Sequence, residues 1–198
     1  MERSKIVWKE TDALYGASKT VMGKWMWRNH VQWVADKGRQ LAEKYDADPE
    51  KVYCAALLHD LGDCKYERDH QDFEIWSWEA GKDILKKAGF RRAKRDEILE
   101  AIRTHSCHLG HLPTALEGRV VATADAMWHI QTSFFPRLCY MHRPLKAKTY
   151  DDWQAWFNEK IERDFTVKIF FEDEKEEVRA NYEALVRAFG KQDLDSDL

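Results

Sequence analysis

At 198 residues and a formal net charge of −3, the chain lacks the basic excess expected of a dedicated nucleic-acid-binding protein. Its 4 cysteines show no CxxC spacing, which argues against a zinc ribbon and a thioredoxin-like pair and favours reduced thiols in a cytoplasmic protein. The sequence contains neither a signal-peptide apolar region nor an apolar run long enough to span a bilayer. We therefore expect a cytoplasmic chain without a nucleic-acid or membrane partner.

Helical periodicity, with apolar residues three or four positions apart, runs through nearly the whole chain, and strand-like alternation is scarce. The clearest start signal is Asp48-Pro49, an N-cap residue followed by a proline in the first helical position, and we expect Gly62 to end this helix. The pattern predicts about seven helices, at residues 29–46, 48–62, 72–89, 93–105, 117–132, a stretch that follows Thr149, and 173–189.

These elements predict an all-α fold. We expect a single domain over residues 1–198, with a catalytic core at about 25–135 and a helical C-terminal extension at about 149–190 that packs onto it. Residues 137–148 form a basic connection that either attracts a polyphosphate or is an exposed loop. Residues 193–198 are expected to be a frayed acidic tail.

Two histidines and two aspartates are distributed over three of the predicted helices. His30 opens the first helix, His59-Asp60 closes the second, and Asp125 interrupts an apolar run on a later one. Asp125 shares its helix face with apolar residues, so it points inward and needs a partner. Such a nitrogen–oxygen set suits one divalent ion: Mn, Co, Ni, Fe, Mg or Zn. Taken alone, His59-Asp60 fits better a helix end at which the histidine caps carbonyls and the aspartate faces solvent.

The series His30 … His59-Asp60 … Asp125 resembles the H…HD…D signature of the HD-domain superfamily of metal-dependent phosphohydrolases. The likeness extends over about residues 25–130. It implies an HD-domain helical bundle with additional C-terminal helices, in which these four residues bind one divalent ion. The chain looks most like small single-domain bacterial members that include nucleotide pyrophosphohydrolases. The resemblance therefore implies hydrolysis of a small phosphate ester or anhydride, such as a nucleoside triphosphate.

In that branch a carboxylate and a lysine follow the HD pair at short spacing, and Asp63 and Lys65 occupy such positions. Asp63 would orient or deprotonate the attacking water, and Lys65 would neutralise phosphate charge. His105, on the inward face of its helix, would support a metal ligand or contact a phosphate. The ordinary alternatives are a loop aspartate bonded to backbone, a solvated lysine and a capped core histidine. Trp33 stands where relatives often carry arginine, so the resemblance does not define the substrate.

Two other functional interpretations stay open. A helical sensor or interaction module would keep the metal site for structure. A di-iron oxygenase similar to myo-inositol oxygenase would need six ligands, and the absence of a histidine at 76–80 argues against it. A homodimer also stays open, because several tryptophans of the C-terminal helices look exposed.

Overall fold

The computed structural model describes residues 2–68, 70–108, 111–140 and 147–190, and all regular structure within these ranges is helical. The predicted all-α class is confirmed. The predicted tail at 193–198 and residues 141–146 of the basic connection at 137–148 lie outside the described residues. The α-helices are α1 (Glu2–Gly16), α2 (Val21–Met26), α3 (Gln32–Lys44), α4 (Pro49–Leu58), α5 (Phe73–Lys87), α6 (Arg92–Thr104), α7 (Leu116–Gln131), α8 (Phe134–Tyr140), α9 (Tyr150–Arg163) and α10 (Glu172–Phe189).

The chain divides into two compact units, residues 1–125 and 126–198, with the boundary inside α7. In the first unit α4 is the central helix and packs against α1, α3 and α6. Its residues from Cys54 to Leu58 are all buried, which explains why this segment reads as a continuous apolar run. As predicted, Asp48 caps α4: its Oδ1 accepts the backbone N–H groups of Glu50 at 2.9 Å and Lys51 at 3.1 Å.

The second unit is built around α9, which packs against α8 and α10. Its aromatic core includes Phe157, whose ring centroid lies 5.0 Å from that of Phe135 and 5.3 Å from that of Trp153. The helix predicted to follow Thr149 is confirmed, and Thr149 caps it in a full capping box with Asp152. Large aromatic side chains therefore supply the apolar contact area of this small unit.

The second unit also buries a charged cluster around Asp164, whose side chain is fully inaccessible. Lys160 Nζ donates to Asp164 Oδ1 at 2.6 Å, and His129 Nδ1 lies 3.0 Å from Oδ2. Lys168 Nζ is 3.8 Å from Oδ1. Burial alone would raise the pKa of Asp164, but the neighbouring Lys160, His129 and Lys168 outweigh it and hold that pKa well below its usual range. The carboxylate is therefore charged and compensated.

Helix boundaries differ from the sequence prediction in the first unit. The prediction that the first helix begins near Asn29 is wrong, because α1 and α2 precede that residue. Thr20 caps α2 by accepting the N–H of Gly23 at 2.9 Å, a start signal that the sequence prediction missed. The α4 helix also ends at Leu58 rather than at Gly62, where a 3₁₀ turn (Leu61–Cys64) takes over. None of the described helices combines the length and apolar composition that a bilayer-spanning segment needs.

Candidate metal centre

The structure brings His30, His59, Asp60 and Asp125 together inside the first unit. His30 lies in a π-helical segment (Trp27–Val31) between α2 and α3, a local widening that often occurs at functional sites. His59 and Asp60 follow the end of α4, and Asp125 lies on α7. The side chains of these residues are buried, with Asp60 the most accessible at 8%.

The donor atoms of His59, Asp60 and Asp125 lie close to His30 Nε2. His30 Nε2 lies 2.9 Å from His59 Nε2, 3.4 Å from Asp60 Oδ2 and 3.2 Å from Asp125 Oδ1. His59 Nε2 is 3.4 Å from Asp60 Oδ2 and 3.8 Å from Asp125 Oδ1. Adjacent ligands of an ion bound at about 2.1 Å stand roughly 3.0 to 3.4 Å apart, depending on geometry. These spacings and the two-imidazole, two-carboxylate donor set fit a divalent transition metal or magnesium ion.

Hydrogen bonding prepares His59 as a nitrogen ligand. Its Nδ1 lies 2.6 Å from the carbonyl oxygen of Ala56, so Nδ1–H donates there and the Nε2 lone pair is directed into the cluster. Burial opposes a charged imidazole, yet the carboxylates of Asp60 and Asp125 outweigh it and raise the pKa of His59. The cluster therefore attracts positive charge.

Two side chains from the N-terminal helices hold the turn that carries the HD pair. The Tyr15 hydroxyl donates to the backbone oxygen of Asp60 at 2.8 Å, and the Thr20 hydroxyl donates to the backbone oxygen of Asp63. Burial raises the pKa of Tyr15 well above its usual value. The Cys64 thiol and the Asp63 and Asp60 carboxylates raise it further. Tyr15 is therefore a neutral donor, and residues of α1 and of the N-cap of α2 hold the turn of the candidate metal centre although they contribute none of the four predicted ligands.

Asp63 is paired with Arg68, a residue that the sequence prediction missed. Arg68 Nε donates to Asp63 Oδ1 at 3.1 Å and Nη2 donates to Asp63 Oδ2 at 2.6 Å. Nη2 also donates to Oδ2 of Asp60. Burial raises the pKa of Asp63, and Arg68 offsets only part of this effect. For Asp60 burial acts in the same direction, but Arg68 and His59 outweigh it and hold the pKa well below its usual range.

The other two predicted catalytic residues lie in different environments. The His105 ring centroid is 5.0 Å from that of His59, and its Nδ1 lies 2.5 Å from the Ile102 carbonyl oxygen. Lys65 is exposed, and its Nζ lies 5.0 Å from the ring centroid of Tyr66 and 5.2 Å from that of Trp76. His105 is therefore adjacent to the metal cluster, whereas the Lys65 ammonium group rests on aromatic faces.

An open cavity of about 580 Å³ reaches the metal cluster. Its polar wall includes His59, Asp60, Arg68 and His105, and its apolar wall includes Phe73 and Trp78. A cavity of this size accommodates a small organic ligand. The cavity thus reaches the candidate donor set at His59 and Asp60, although the side chains of the set are buried.

Comparison with known proteins identifies the fold. A family model described as HD domain matches residues 27–127. The chain belongs to the HD-domain family. The predicted superfamily is therefore confirmed. A search of curated protein sequences found no match to the chain.

Two solved structures resemble this HD-domain chain. One is the crystal structure of Bacillus subtilis YpgQ in complex with ADP, with 22% identity, a TM-score of 0.68 and coverage of 95% of this chain and 93% of that one. The other is a predicted HD superfamily hydrolase from an uncultured Thermotogales bacterium, with 20% identity, a TM-score of 0.60 and coverage of 91% and 89%. These likenesses show that the chain shares the fold of the two solved structures over nearly its whole length.

Proposed function

We propose that this HD-domain chain is a divalent-metal-dependent phosphohydrolase that acts on a nucleotide or a similar small phosphate ester or anhydride. Release of pyrophosphate from a nucleoside triphosphate is the specific reaction that we favour. The observation that carries the proposal is the cluster of His30, His59, Asp60 and Asp125, of which His59 and Asp60 border an open cavity. The ADP bound by the similar Bacillus subtilis protein supports a nucleotide as ligand.

In this proposal the four clustered residues hold one divalent ion. Such an ion lowers the pKa of water and polarises a phosphoryl oxygen. His105 borders the cavity beside His59 and is suited to contact the substrate or to exchange a proton with it. Asp63 is suited to orient groups at the centre, and Lys65 would have to leave its aromatic neighbours to reach a phosphate.

The geometry favours an enzyme over a sensor that keeps a metal site only for structure. A structural site is closed, whereas His59 and Asp60 both border the open cavity. One ion is favoured over the two of a di-iron oxygenase. His70, a histidine that follows the HD pair in the sequence, is exposed and stacks on Tyr66 with 4.3 Å between ring centroids.

A substrate panel tests the proposed function. Phosphate and pyrophosphate release would be measured from nucleoside mono-, di- and triphosphates with Mn, Co, Ni, Mg or EDTA. We expect metal-dependent release from one of these groups, and its loss in His59→Ala. Absence of release with every metal from a protein that binds the ion would contradict the nucleotide proposal and favour a different phosphate substrate, an oxygenase or a sensor.

A further inference from the structure

The guanidinium group of Arg68 is a cationic feature of the cavity, beside the candidate metal cluster. Arg68 borders the cavity and its side chain is 48% exposed. Burial acts to lower the pKa of Arg68, but the adjacent Asp60 and Asp63 carboxylates have the larger effect. The pKa of Arg68 is therefore raised above the usual arginine value. The cavity therefore contains a permanent positive charge next to a predicted metal ligand.

Arg68 is held by Asp63 along one edge only. Nε and Nη2 face the two oxygens of Asp63, at 3.1 and 2.6 Å, so the pair is side-on and fixes the plane of the guanidinium group. Nη1 donates to no acceptor among the residues that the structure describes. Two N–H donors of a rigid, charged group are thus available to a ligand.

The Asp63 carboxylate is buried and makes the contacts that fix the position of Arg68. Its side chain is 1% exposed, and both of its oxygens accept hydrogen bonds from Arg68. The Phe73 ring supports Arg68 from another side, with 5.9 Å between Cζ and the ring centroid. Gly62 makes room for that ring, because a Cβ atom there would lie 2.6 Å from Phe73 Cε2. Arg68 is therefore positioned before any ligand arrives.

We propose that Arg68 binds a phosphate group of the substrate through Nη1, and that Asp63 is the residue that positions it. This inference rests on the proposed function for its substrate class. The location supports it: Nη2 contacts Oδ2 of Asp60, so a phosphate at the metal cluster lies beside the same guanidinium group. Planar, two-donor recognition of phosphate is the interaction to which arginine is best suited.

Arg103 provides a matched control for the test. It borders the same cavity, its side chain is 52% exposed, and its Nε and Nη2 pair with Glu100 at 2.9 and 2.7 Å. Unlike Arg68, it pairs with an exposed glutamate on its own helix rather than with residues of the metal centre. If positive charge alone attracts phosphate, substitution of either arginine should weaken phosphate binding. If the phosphate site lies at the candidate metal centre, only substitution of Arg68 should weaken it.

The experiment is calorimetric titration of Mn²⁺-saturated protein with inorganic phosphate. A charge-assisted hydrogen bond predicts that Arg68→Gln raises the phosphate Kd about tenfold or more, while Arg103→Gln changes it less than about twofold. Arg68→Lys should recover only part of the loss, because lysine retains the charge but not the planar fork. Bound Mn²⁺ and thermal unfolding of each variant would verify that the fold and metal centre are intact.

A double-mutant cycle tests the role of Asp63. If Asp63 positions Arg68, the loss caused by Arg68→Gln shrinks to about twofold in an Asp63→Asn background. An undiminished loss, or a drop in kcat for Asp63→Asn with an unchanged phosphate Kd, would overturn the positioning role.

The outcomes separate this inference from the proposed function. Unchanged phosphate affinity in Arg68→Gln, equal losses in Arg68→Gln and Arg103→Gln, or the absence of phosphate binding by the wild type would each overturn the phosphate site. In the first two cases the proposed hydrolytic function would still stand. Conversely, Arg68-dependent phosphate binding without hydrolysis of any nucleotide would overturn the proposed reaction and leave the phosphate site standing.

Discussion

We expect a divalent ion to stabilise this chain, and substitution of His59 should remove most of that stabilisation. The His59 Nε2 atom lies 2.9 Å from His30 Nε2 and 3.4 Å from Asp60 Oδ2, so His59→Ala removes one of the four clustered donors. An ion at 100 times its Kd stabilises a folded protein by about 2.7 kcal/mol. For a chain of this length that corresponds to a rise in Tm of about 5 to 11 °C.

The assay is thermal unfolding of each protein with EDTA and with saturating Mn²⁺, scored as the difference between the two Tm values. This difference separates metal binding from packing, since His59→Ala also loses a buried ring and its bond to the Ala56 carbonyl. At the Mn²⁺ concentration that saturates the wild type, we expect His59→Ala to lose most of the rise. His111→Ala, at an exposed histidine, should retain it. A full rise in His59→Ala would refute the ligand assignment.

Two further substitutions test the packing of each unit. Asp164→Asn should cost about 3 to 5 kcal/mol of unfolding free energy at pH 7, because it removes the buried carboxylate that pairs with Lys160 and Lys168. Because the pKa of Asp164 is lowered in the folded state, this loss of unfolding free energy should persist above about pH 4 and shrink as the pH falls below it. Urea titrations would measure the loss at each pH. Glu159→Gln, at an exposed residue, should show neither the loss nor its pH dependence. Gly62→Ala should destabilise by about 1 to 3 kcal/mol through its clash with Phe73, whereas Gly16→Ala, with nothing within 4 Å of the new Cβ, should not; equal effects would contradict the close approach at Gly62.

Sequence patterns predicted the local features of this fold well. Asp48-Pro49 and Thr149 begin helices where expected, because an N-cap acts through hydrogen bonds to residues two or three positions away. The family signature was also legible, since His30, the HD pair and Asp125 are specific residue types in a fixed order. The sequence therefore contained the class of fold and a proposal for the ligands.

The supports of the site were not predictable in the same way. Tyr15 and Thr20 bond to the turn of the HD pair from 45 and 43 residues away, and neither belongs to a motif that points there. Arg68 lies in a polar stretch that reads as solvated loop, five residues after its partner Asp63. A basic residue shortly after an acidic motif was the only available signal, and it does not distinguish Arg68 from the nearby Lys65.

The sequence by itself determined the helical class, the helix starts at Asp48 and Thr149 and the order of the HD signature, because each depends on chemistry within a few residues of chain. Tertiary structure alone decided which charged groups share one cavity. It set the Arg68 guanidinium on Asp60 and Asp63 and left the Lys65 ammonium group on aromatic rings. The physical reason is that contacts between segments depend on how helices and turns pack together, and side chains three residues apart in a turn can point in different directions.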